Sequence, residues 1–294
     1  MENKAKALFV GLNTVDMQFF VQGYPKVNSK TKAQKNEIAA GGPATNAAVA
    51  ASVLGADVTL ITPIGEHTLS DFIRKDLNKH GVKVVDPIQG IDSEPVFASI
   101  VTDTNNGDRT VFSYMPENSQ EHFIENLHID FSDFDIALFD GFYPNMSKLI
   151  AKELRKFNIP MVFDGGSWKN GLEDLLPYMD IAVLSNDFTP PLCETKYETI
   201  NYLQQFCIRQ IAITNGHRPI LMYDNKILKD LPVPQVGVVD TLGAGDVYHG
   251  AFCYFLAENN YFQGALGEAA FVAAESCKWH GTRSWIKNFS LVAV

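Results

Sequence analysis

Residues 238–259 read VVDTLGAGDVYHGAFCYFLAEN, and three small residues, Gly243, Ala244 and Gly245, stand there directly before Asp246. Glycine weakens a helix interior, so these glycines need another explanation. Residues 236–239 have a β-like composition and residues 247–257 have a helical pattern, which places the glycines in a loop that opens a helix. At a helix N-terminus, unpaired N–H groups and the dipole attract anions, and missing side chains let a phosphate approach the backbone. The stretch therefore predicts an anion-binding turn.

Asp246 follows this turn directly, in the first turn of the predicted helix, where the helix dipole favours its ionised form. A carboxylate beside a bound phosphate is unfavourable for binding alone. It is useful if it accepts a proton from an attacking hydroxyl while the backbone neutralises charge on a transferred phosphoryl group. Residues 240–246 alone are equally compatible with a helix cap and a tight turn. They form neither a Walker P-loop nor a G-x-G-x-x-G turn.

Strand-like and helix-like segments alternate along most of the chain. Amphipathic helices are predicted over residues 146–157 and 197–207, and an alanine-rich helix over residues 43–54. Repeated strand–helix–strand units predict an α/β fold with a parallel sheet covered on both faces. The apolar runs that predict buried strands are residues 7–12, 57–65, 136–141, 161–166, 181–186 and 210–216.

Two regions interrupt this alternation. Residues 19–40 combine a β-like FFVQGY with a polar, lysine-containing run, and VFASIVTD and RTVFSYM flank a polar turn at residues 104–108, which predicts a β-hairpin. We expect a small sheet that projects from the main body, without a composition shift that would mark a second domain. Above a pocket, such a sheet would act as a lid that excludes water; the alternative is an ordinary surface hairpin.

Composition limits the function classes. The chain has 294 residues, of which 46% are hydrophobic and 20% charged, as in ordinary globular proteins. Its net charge of −10 argues against a nucleic-acid partner but not against a small phosphate-bearing ligand. No apolar run approaches the roughly 20 residues that span a bilayer, so no membrane association is expected. The short apolar run at the start predicts a first strand rather than a signal peptide, and the four widely spaced cysteines predict buried thiols, which favours a cytoplasmic location.

A second glycine-containing segment favours a ligand-binding turn at residues 240–246 over a simple helix cap. Gly41 and Gly42 precede Pro43, which is tolerated in a first helical turn, and Asn46 follows one turn later, where its amide could meet a ligand. Residues 41–48 (GGPATNAA) and 240–252 (DTLGAGDVYHGAF) resemble the two signatures of the ribokinase-like, or PfkB, carbohydrate kinases. The resemblance extends over essentially the whole chain. It implies one domain over residues 1–294 with a three-layer α/β/α fold, a mostly parallel central sheet, and a small β-sheet lid from segments at about 16–39 and 95–116.

The resemblance also implies roles for individual residues. Asp246 would be the catalytic base, and Gly243, Ala244 and Gly245 would form the anion hole for the transferred phosphoryl group. The sugar would be bound by Asn13, Asp16, Gly42, Asn46 and Asp140. Without the resemblance, Asp16 would be read as a turn acid and Asp140 as a solvated strand end.

Nucleotide and cation sites follow from the same resemblance. The nucleotide would contact Asn186, Thr214, Asn215, Gly216 and Thr241. A monovalent cation such as K⁺ would bind beside the anion hole at Asp240, Thr241 and Gly281. The chain departs from the family pattern at three positions. In the N-x-x-E element, which helps to organise magnesium in the family, the chain keeps Asn186 but lacks the glutamate, and Asp187 is the available substitute. Pro219 lies near a position where a second glycine is expected. Pro43 stands where ribokinases carry lysine, which disfavours ribose as the substrate.

The implied activity is transfer of the ATP γ-phosphoryl group, with Mg²⁺, to a primary hydroxyl of a free sugar, most similar to the ketohexokinase branch. Two alternatives stay open at this level: a nucleoside kinase with the same fold, and an inactive sugar-sensing regulatory protein. Relatives often dimerise by pairing lids, so a homodimer through the lid is also expected.

Overall fold

The computed structural model describes residues 4–116, 127 and 129–290. Its main element is a nine-stranded sheet with the strand order β13-β12-β11-β10-β9-β8-β1-β4-β5. The strands are β1 (Lys6–Val10), β4 (Asp57–Ile61), β5 (Val82–Val85), β8 (Ile136–Phe139), β9 (Met161–Gly165), β10 (Ile181–Ser185), β11 (Gln210–Asn215), β12 (Arg218–Asp224) and β13 (Ile227–Leu231). All neighbours from β5 to β11 pair in parallel, and only β12 and β13 pair antiparallel to their neighbours.

Helices cover both faces of this sheet, and β1 shows why. Ala7 and Phe9 belong to one hydrophobic core, together with α1, α6 and α7, whereas Leu8 and Val10 belong to a second core, together with α3 and α5. A parallel strand buried on two sides needs apolar residues at consecutive positions, as this one has. The helices are α1 (Pro43–Leu54), α2 (Ser70–Lys79), α3 (Pro144–Arg155), α4 (Leu172–Leu175), α5 (Lys196–Gln204), α6 (Ala244–Asn259) and α7 (Phe262–Ser276).

A second, four-stranded sheet has the order β3-β2-β6-β7 and consists of β2 (Thr14–Val21), β3 (Lys35–Gly41), β6 (Phe97–Asp103) and β7 (Arg109–Tyr114). β6 and β7 form the antiparallel hairpin that the sequence predicts around residues 104–108. β2 leads out of the turn that follows β1, and β3 ends at Gly41 directly before α1. The first signature is therefore held between the two sheets.

All six strands predicted for the central sheet are present, each within a few residues of its expected bounds. Two predictions are wrong. Residues 236–239 form no strand but an extended connection, in which the Val239 N–H donates to the Cys277 carbonyl at 2.8 Å. Cys207, expected to be buried, is exposed in the turn after α5, where it has a φ of +66°. Within the described ranges, no helix is long and apolar enough to cross a bilayer.

Candidate active site

The start of α6 forms an open turn. Gly243 caps the helix with a φ of +71°, a conformation that glycine adopts without strain, and a Cβ there would lie only 2.8 Å from Thr282 Cγ2. The Val247 N–H donates to the Gly243 carbonyl at 2.8 Å, so the N–H groups of Gly245 and Asp246 precede the first helical bond. The turn therefore presents backbone donors without covering them with side chains.

Asp246 is oriented by a chain of side chains from distant parts of the sequence. Asn46 Nδ2 donates to Asp246 Oδ2 at 2.7 Å, and Arg283 Nη1 donates to Asn46 Oδ1 at 2.8 Å. Arg283 Nη2 donates to the Ala40 carbonyl, and Arg283 Nε lies 3.8 Å from Asp76 Oδ2. The asparagine amide is thereby fixed with its nitrogen toward the carboxylate, because its oxygen is engaged by a cation.

Electrostatics raise the pKa of Asp246 to about 7, chiefly because burial disfavours its charged form and secondly because the Asp164 carboxylate repels it. The Asn46 hydrogen bond and His249 act in the opposite direction. A carboxyl group with a pKa near 7 is a far better proton acceptor than an ordinary aspartate and is still partly ionised at neutral pH.

A cavity of about 700 Å³ opens at this carboxylate. Its volume falls within the range of small-molecule sites. Of the residues predicted from the sequence, eight line the cavity: Asp140, Thr214, Gly216, Thr241, Gly243, Ala244, Gly245 and Asp246. The anion turn, the predicted nucleotide turn and Asp246 are thus brought together. Eight others lie outside the cavity lining: Asn13, Asp16, Gly42, Asn46, Asn186, Asn215, Asp240 and Gly281.

Four of these eight cluster behind Asp246, where the sugar is predicted to bind. Asp16 accepts a hydrogen bond from Thr14, and its carboxylate packs so closely on Gly41 that a Cβ there would lie 2.0 Å away. Burial raises the pKa of Asp16. Gly42 also needs its missing side chain, since a Cβ would lie 2.4 Å from the Leu12 carbonyl.

Asn13 is buried in the same region. Its Nδ2 donates to the Pro63 carbonyl at 2.7 Å and to Thr62 Oγ1 at 3.2 Å. Its Oδ1 is a buried acceptor that has no hydrogen-bond partner among the described residues. An unpaired buried acceptor costs free energy unless a ligand hydroxyl satisfies it.

Asp140 differs from the solvated strand end that the sequence alone allowed. It is buried and accepts three backbone hydrogen bonds, from Leu12 at 2.8 Å, Phe142 at 3.0 Å and Ala44 at 3.2 Å. It therefore ties the end of β8 to the turn after β1 and to the first turn of α1. Burial nevertheless raises its pKa to about 6.

The residues at the site that were not identified from the sequence include Asp164, Lys169 and Arg283. Asp164 lies inside an apolar run that predicted only a strand, although an acid there is itself a signal. It is buried and lines the cavity; its Oδ1 lies 3.4 Å from His249 Nε2, and its Oδ2 is unpaired within the described part of the chain. Burial raises its pKa. Lys169 lines the same cavity, five residues further along.

His249 is buried one turn after Asp246, between acceptors. Its Nδ1 lies 2.7 Å from the Gly245 carbonyl, and its Nε2 lies 3.0 Å from the Val183 carbonyl. It fixes the first turn of α6 against β10, and it also lies beside the cavity.

The residues predicted to organise magnesium, Asn186 and Asp187, are exposed just after β10. The free carboxylate oxygen of Asp164 is a better match, since magnesium prefers hard oxygen ligands and usually binds one or two carboxylates together with substrate phosphates. On the nucleotide side, Thr214 Oγ1 donates to the Leu184 carbonyl at 3.1 Å, and Gly216 has a φ of +56° that suits glycine in the tight turn.

At the predicted monovalent-cation site, the side-chain oxygens of Asp240 and Thr241 accept hydrogen bonds from the protein. Asp240 Oδ1 accepts from the Leu242 N–H at 2.9 Å, and its Oδ2 accepts from the Gly281 N–H at 2.9 Å and from Gln18 Nε2 at 3.1 Å. Thr241 Oγ1 accepts from the Arg109 guanidinium. Each of these three side-chain oxygens therefore already has a hydrogen-bond partner.

The comparison with known protein families settles what kind of molecule this is. Residues 4–288 match the pfkB family carbohydrate kinase model. The chain belongs to the pfkB family. Members of this family are phosphotransferases that act on sugar hydroxyls, and the ribokinase-like fold predicted from the sequence is confirmed.

The pfkB relatives most similar to this chain are named as kinases of several different sugars. The ribokinase of Dictyostelium discoideum is 26% identical over 317 aligned positions, covering 97% of both chains. The ketohexokinase of Mus musculus is 23% identical, covering 96% of this chain and 98% of that one. The structure of Arabidopsis thaliana ribokinase complexed with ribose and ATP superimposes with a TM-score of 0.77 at 20% identity, covering 98% and 100%. The ketohexokinase branch is therefore not singled out.

Proposed function

We propose that this pfkB kinase transfers the γ-phosphoryl group of ATP to a primary hydroxyl of a free sugar, with Asp246 as the general base. The observation that carries the proposal is the placement of Asp246: a carboxyl group with a pKa near 7, oriented by Asn46, beside an uncovered helix N-terminus and a ligand-sized cavity. An inactive sugar-sensing protein would gain nothing from such a carboxylate.

In the proposed reaction, Asp246 accepts the proton of the attacking sugar hydroxyl. The sugar oxygen forms a bond to the γ-phosphorus while the bond from that phosphorus to the β,γ-bridging oxygen breaks, and ADP leaves with the electron pair. Charge on the transferred group is stabilised by the backbone donors at Gly243 and Gly245, whereas the Ala244 N–H, predicted to join them, donates to the Thr241 carbonyl at 3.2 Å. The proton then leaves Asp246 for solvent.

Magnesium fits the proposed site through Asp164, which lines the cavity and has one carboxylate oxygen without a hydrogen-bond partner among the described residues. When bound with ATP, Mg²⁺ supplies charge neutralisation to the phosphates. ATP would extend from the anion turn toward Thr214 and Gly216, with its base among the apolar lining residues, which include Ile220, Val233 and Ala270. Asn215 and Asn186 lie next to this path in sequence but outside the cavity lining.

Asp16, Asn46 and the free Oδ1 of Asn13 are proposed to bind the sugar hydroxyls. Asp140 acts in this proposal as a brace for the pocket, because its carboxylate is engaged by three backbone donors. Pro43 lines the cavity where ribokinases carry a lysine, and this departure supports a ketohexose over ribose. A nucleoside acceptor is the alternative with the same chemistry.

The experiment is an ADP-release assay with Mg-ATP against fructose, other ketoses, ribose, deoxyribose and nucleosides, followed by ³¹P NMR of the product. Turnover of one sugar with a primary phosphate ester as the product supports the proposal. Turnover of nucleosides alone would replace it with the nucleoside kinase. Tight sugar binding without any turnover would replace it with the regulatory protein.

We also propose that the four-stranded sheet is the lid. Two of its side chains, Gln18 from β2 and Arg109 from β7, contact Asp240 and Thr241 just before the anion turn, so movement of the sheet would change these contacts.

All six residues of β7 are exposed, including Phe112 at 57% and Tyr114 at 58%. This edge supports a homodimer through the lid, which sedimentation velocity over a concentration series would test.

A further inference from the structure

The loop after β9 lies at the boundary between the two halves of the cavity. In the central sheet β9 lies between β8, which ends directly before Asp140, and β10, whose neighbour β11 ends at the nucleotide turn. The carboxyl ends of parallel strands meet at one edge of a sheet, where α/β folds bind ligands. A side chain from the β9 loop is therefore placed between the sugar side and the nucleotide side. Lys169 is that side chain, and it lines the cavity.

Lys169 is a half-buried cation with unused donors. Its Nζ donates to the Ser167 carbonyl at 3.2 Å and lies 4.2 Å from the centroid of the Phe142 ring. An ammonium group has three donors, and this protein carbonyl takes one. Burial lowers the pKa of Lys169, while Asp140 and Asp164 act in the opposite direction. Yet in the described part of the chain no carboxylate oxygen lies within 4.0 Å of its Nζ.

A partly desolvated ammonium without a close counter-ion gains free energy when an anionic ligand binds it. A free sugar is neutral and needs no cation, so the triphosphate is the anionic ligand in this cavity. In the proposed reaction ADP occupies only the nucleotide side of the cavity. A side chain at the boundary with the sugar side, such as Lys169, is therefore placed to contact the terminal phosphoryl group of ATP. We propose that Lys169 is a catalytic residue that binds the γ-phosphoryl oxygens during transfer, together with the backbone donors at the start of α6, which line the same cavity. It stays protonated throughout. The competing explanation is that Lys169 only balances the charges of Asp140 and Asp164.

This inference rests on the proposed function, but a binding experiment tests it independently of turnover. The variants are Lys169→Gln and Lys169→Arg, and the matched control is Lys152→Gln, at an exposed lysine on α3. Calorimetry measures the affinity of each protein for ADP and for the non-hydrolysable β,γ-imido analogue of ATP, with magnesium. We expect Lys169→Gln to weaken the analogue about tenfold, as the loss of one charge-assisted contact does, and to leave ADP within about threefold. Lys169→Arg should retain most of the analogue affinity.

With the best sugar, Lys169→Gln should lower kcat by about 10²- to 10³-fold at an unchanged KM for the sugar, as the loss of one phosphoryl-binding donor does. Lys152→Gln should match the wild type. Equal loss of ADP and analogue affinity, together with a lower melting temperature, would establish the charge-balancing explanation instead. Unchanged affinities and kcat would also overturn the proposal. If no acceptor is turned over by the wild type while the analogue is still selectively weakened, the proposed function and the catalytic role of Lys169 both fail, and only its contact with the γ-phosphate stands.

Discussion

Asn46 Nδ2 lies 2.7 Å from Asp246 Oδ2, although 200 residues separate the two in sequence. This bond joins the two sequence signatures into one site, with α1 and α6 packed side by side beneath it. Close packing of the helices depends on Gly250, where a Cβ would lie 2.1 Å from the Ala47 carbonyl. The hydrogen bond favours the ionised carboxylate, which is the form a general base needs.

Replacement of Asn46 by alanine should therefore raise the pKa of Asp246, because a donor to its charged form is lost. The acid limb of the pH profile of kcat/KM should move to higher pH, and kcat at neutral pH should fall about 10- to 100-fold. Steady-state kinetics between pH 5 and 9 measure both effects. If kcat falls while the acid limb of the pH profile of kcat/KM stays in place, Asn46 does not influence the pKa of Asp246 and contributes only by binding the sugar.

Arg283→Lys tests the same relationship from one step further away. Lysine keeps the charge but cannot reach both Asn46 Oδ1 and the Ala40 carbonyl as the forked guanidinium does. We expect a milder version of the Asn46→Ala profile. The exposed Arg155→Lys, whose partner is Asp180 on the surface, is the control and should behave as the wild type.

Replacement of Asp164 by asparagine should move the acid limb in the opposite direction. The Asp164 carboxylate raises the pKa of Asp246 by repulsion, so its neutral isostere should lower that pKa and displace the profile to lower pH. Asp174→Asn, at an exposed acid paired with Lys148, should leave the profile in place. A shift of the Asp164→Asn profile to higher pH would contradict this account of the electrostatics.

Asp246→Asn should make the protein more stable at neutral and higher pH. The folded-state pKa of Asp246 is raised from its ordinary value of 3.8 to about 7, so the folded state holds a proton that the unfolded state releases. Stability is then lost as pH rises from about 4 to 7, and the loss is complete above 7. The difference corresponds to at most about 4 kcal/mol, so we expect a gain of about 1–3 kcal/mol at pH 8 that disappears toward pH 4. Thermal unfolding at several pH values measures it, and a gain independent of pH would refute the titration of Asp246 as its cause.

The activity should not require a monovalent cation. Backbone and side-chain donors hold both oxygens of Asp240, and Arg109 contacts the adjacent Thr241. We expect kcat to change by less than about twofold when K⁺ is replaced by tetramethylammonium at constant ionic strength, because a site already filled with donors gains little from a cation. A tenfold loss without K⁺ would show that Gln18 moves aside and a cation binds.

The sequence was sufficient for the elements whose signal is local. Consecutive apolar residues in β1 predicted a strand buried on both faces, and Gly243 predicted an open turn at the start of α6. Residues 236–239 misled because a run of valines fits a strand as well as an extended connection; only its partner, the Cys277 carbonyl, distinguishes them.

The rest of the site depends on contacts that no local pattern encodes. Arg283 lies 237 residues from Asn46, and nothing in its neighbourhood marks it as the residue that orients that amide. Asp164 was hidden in a strand-like run, although an acid in a buried strand is expensive unless it has a function. Lys169 became visible only when the strand order placed the β9 loop at the centre of the cavity.

The measurement that tests the central claim most directly compares wild type and Asp246→Asn with the best sugar acceptor. ADP release gives kcat, and calorimetry gives the affinities for the sugar and for Mg-ATP. We predict that kcat falls about 10³-fold or more while both affinities stay within a few-fold of the wild type, because the variant keeps the shape of the site and loses only the proton acceptor. A variant that retains kcat within about tenfold would contradict the assignment of Asp246 as the base.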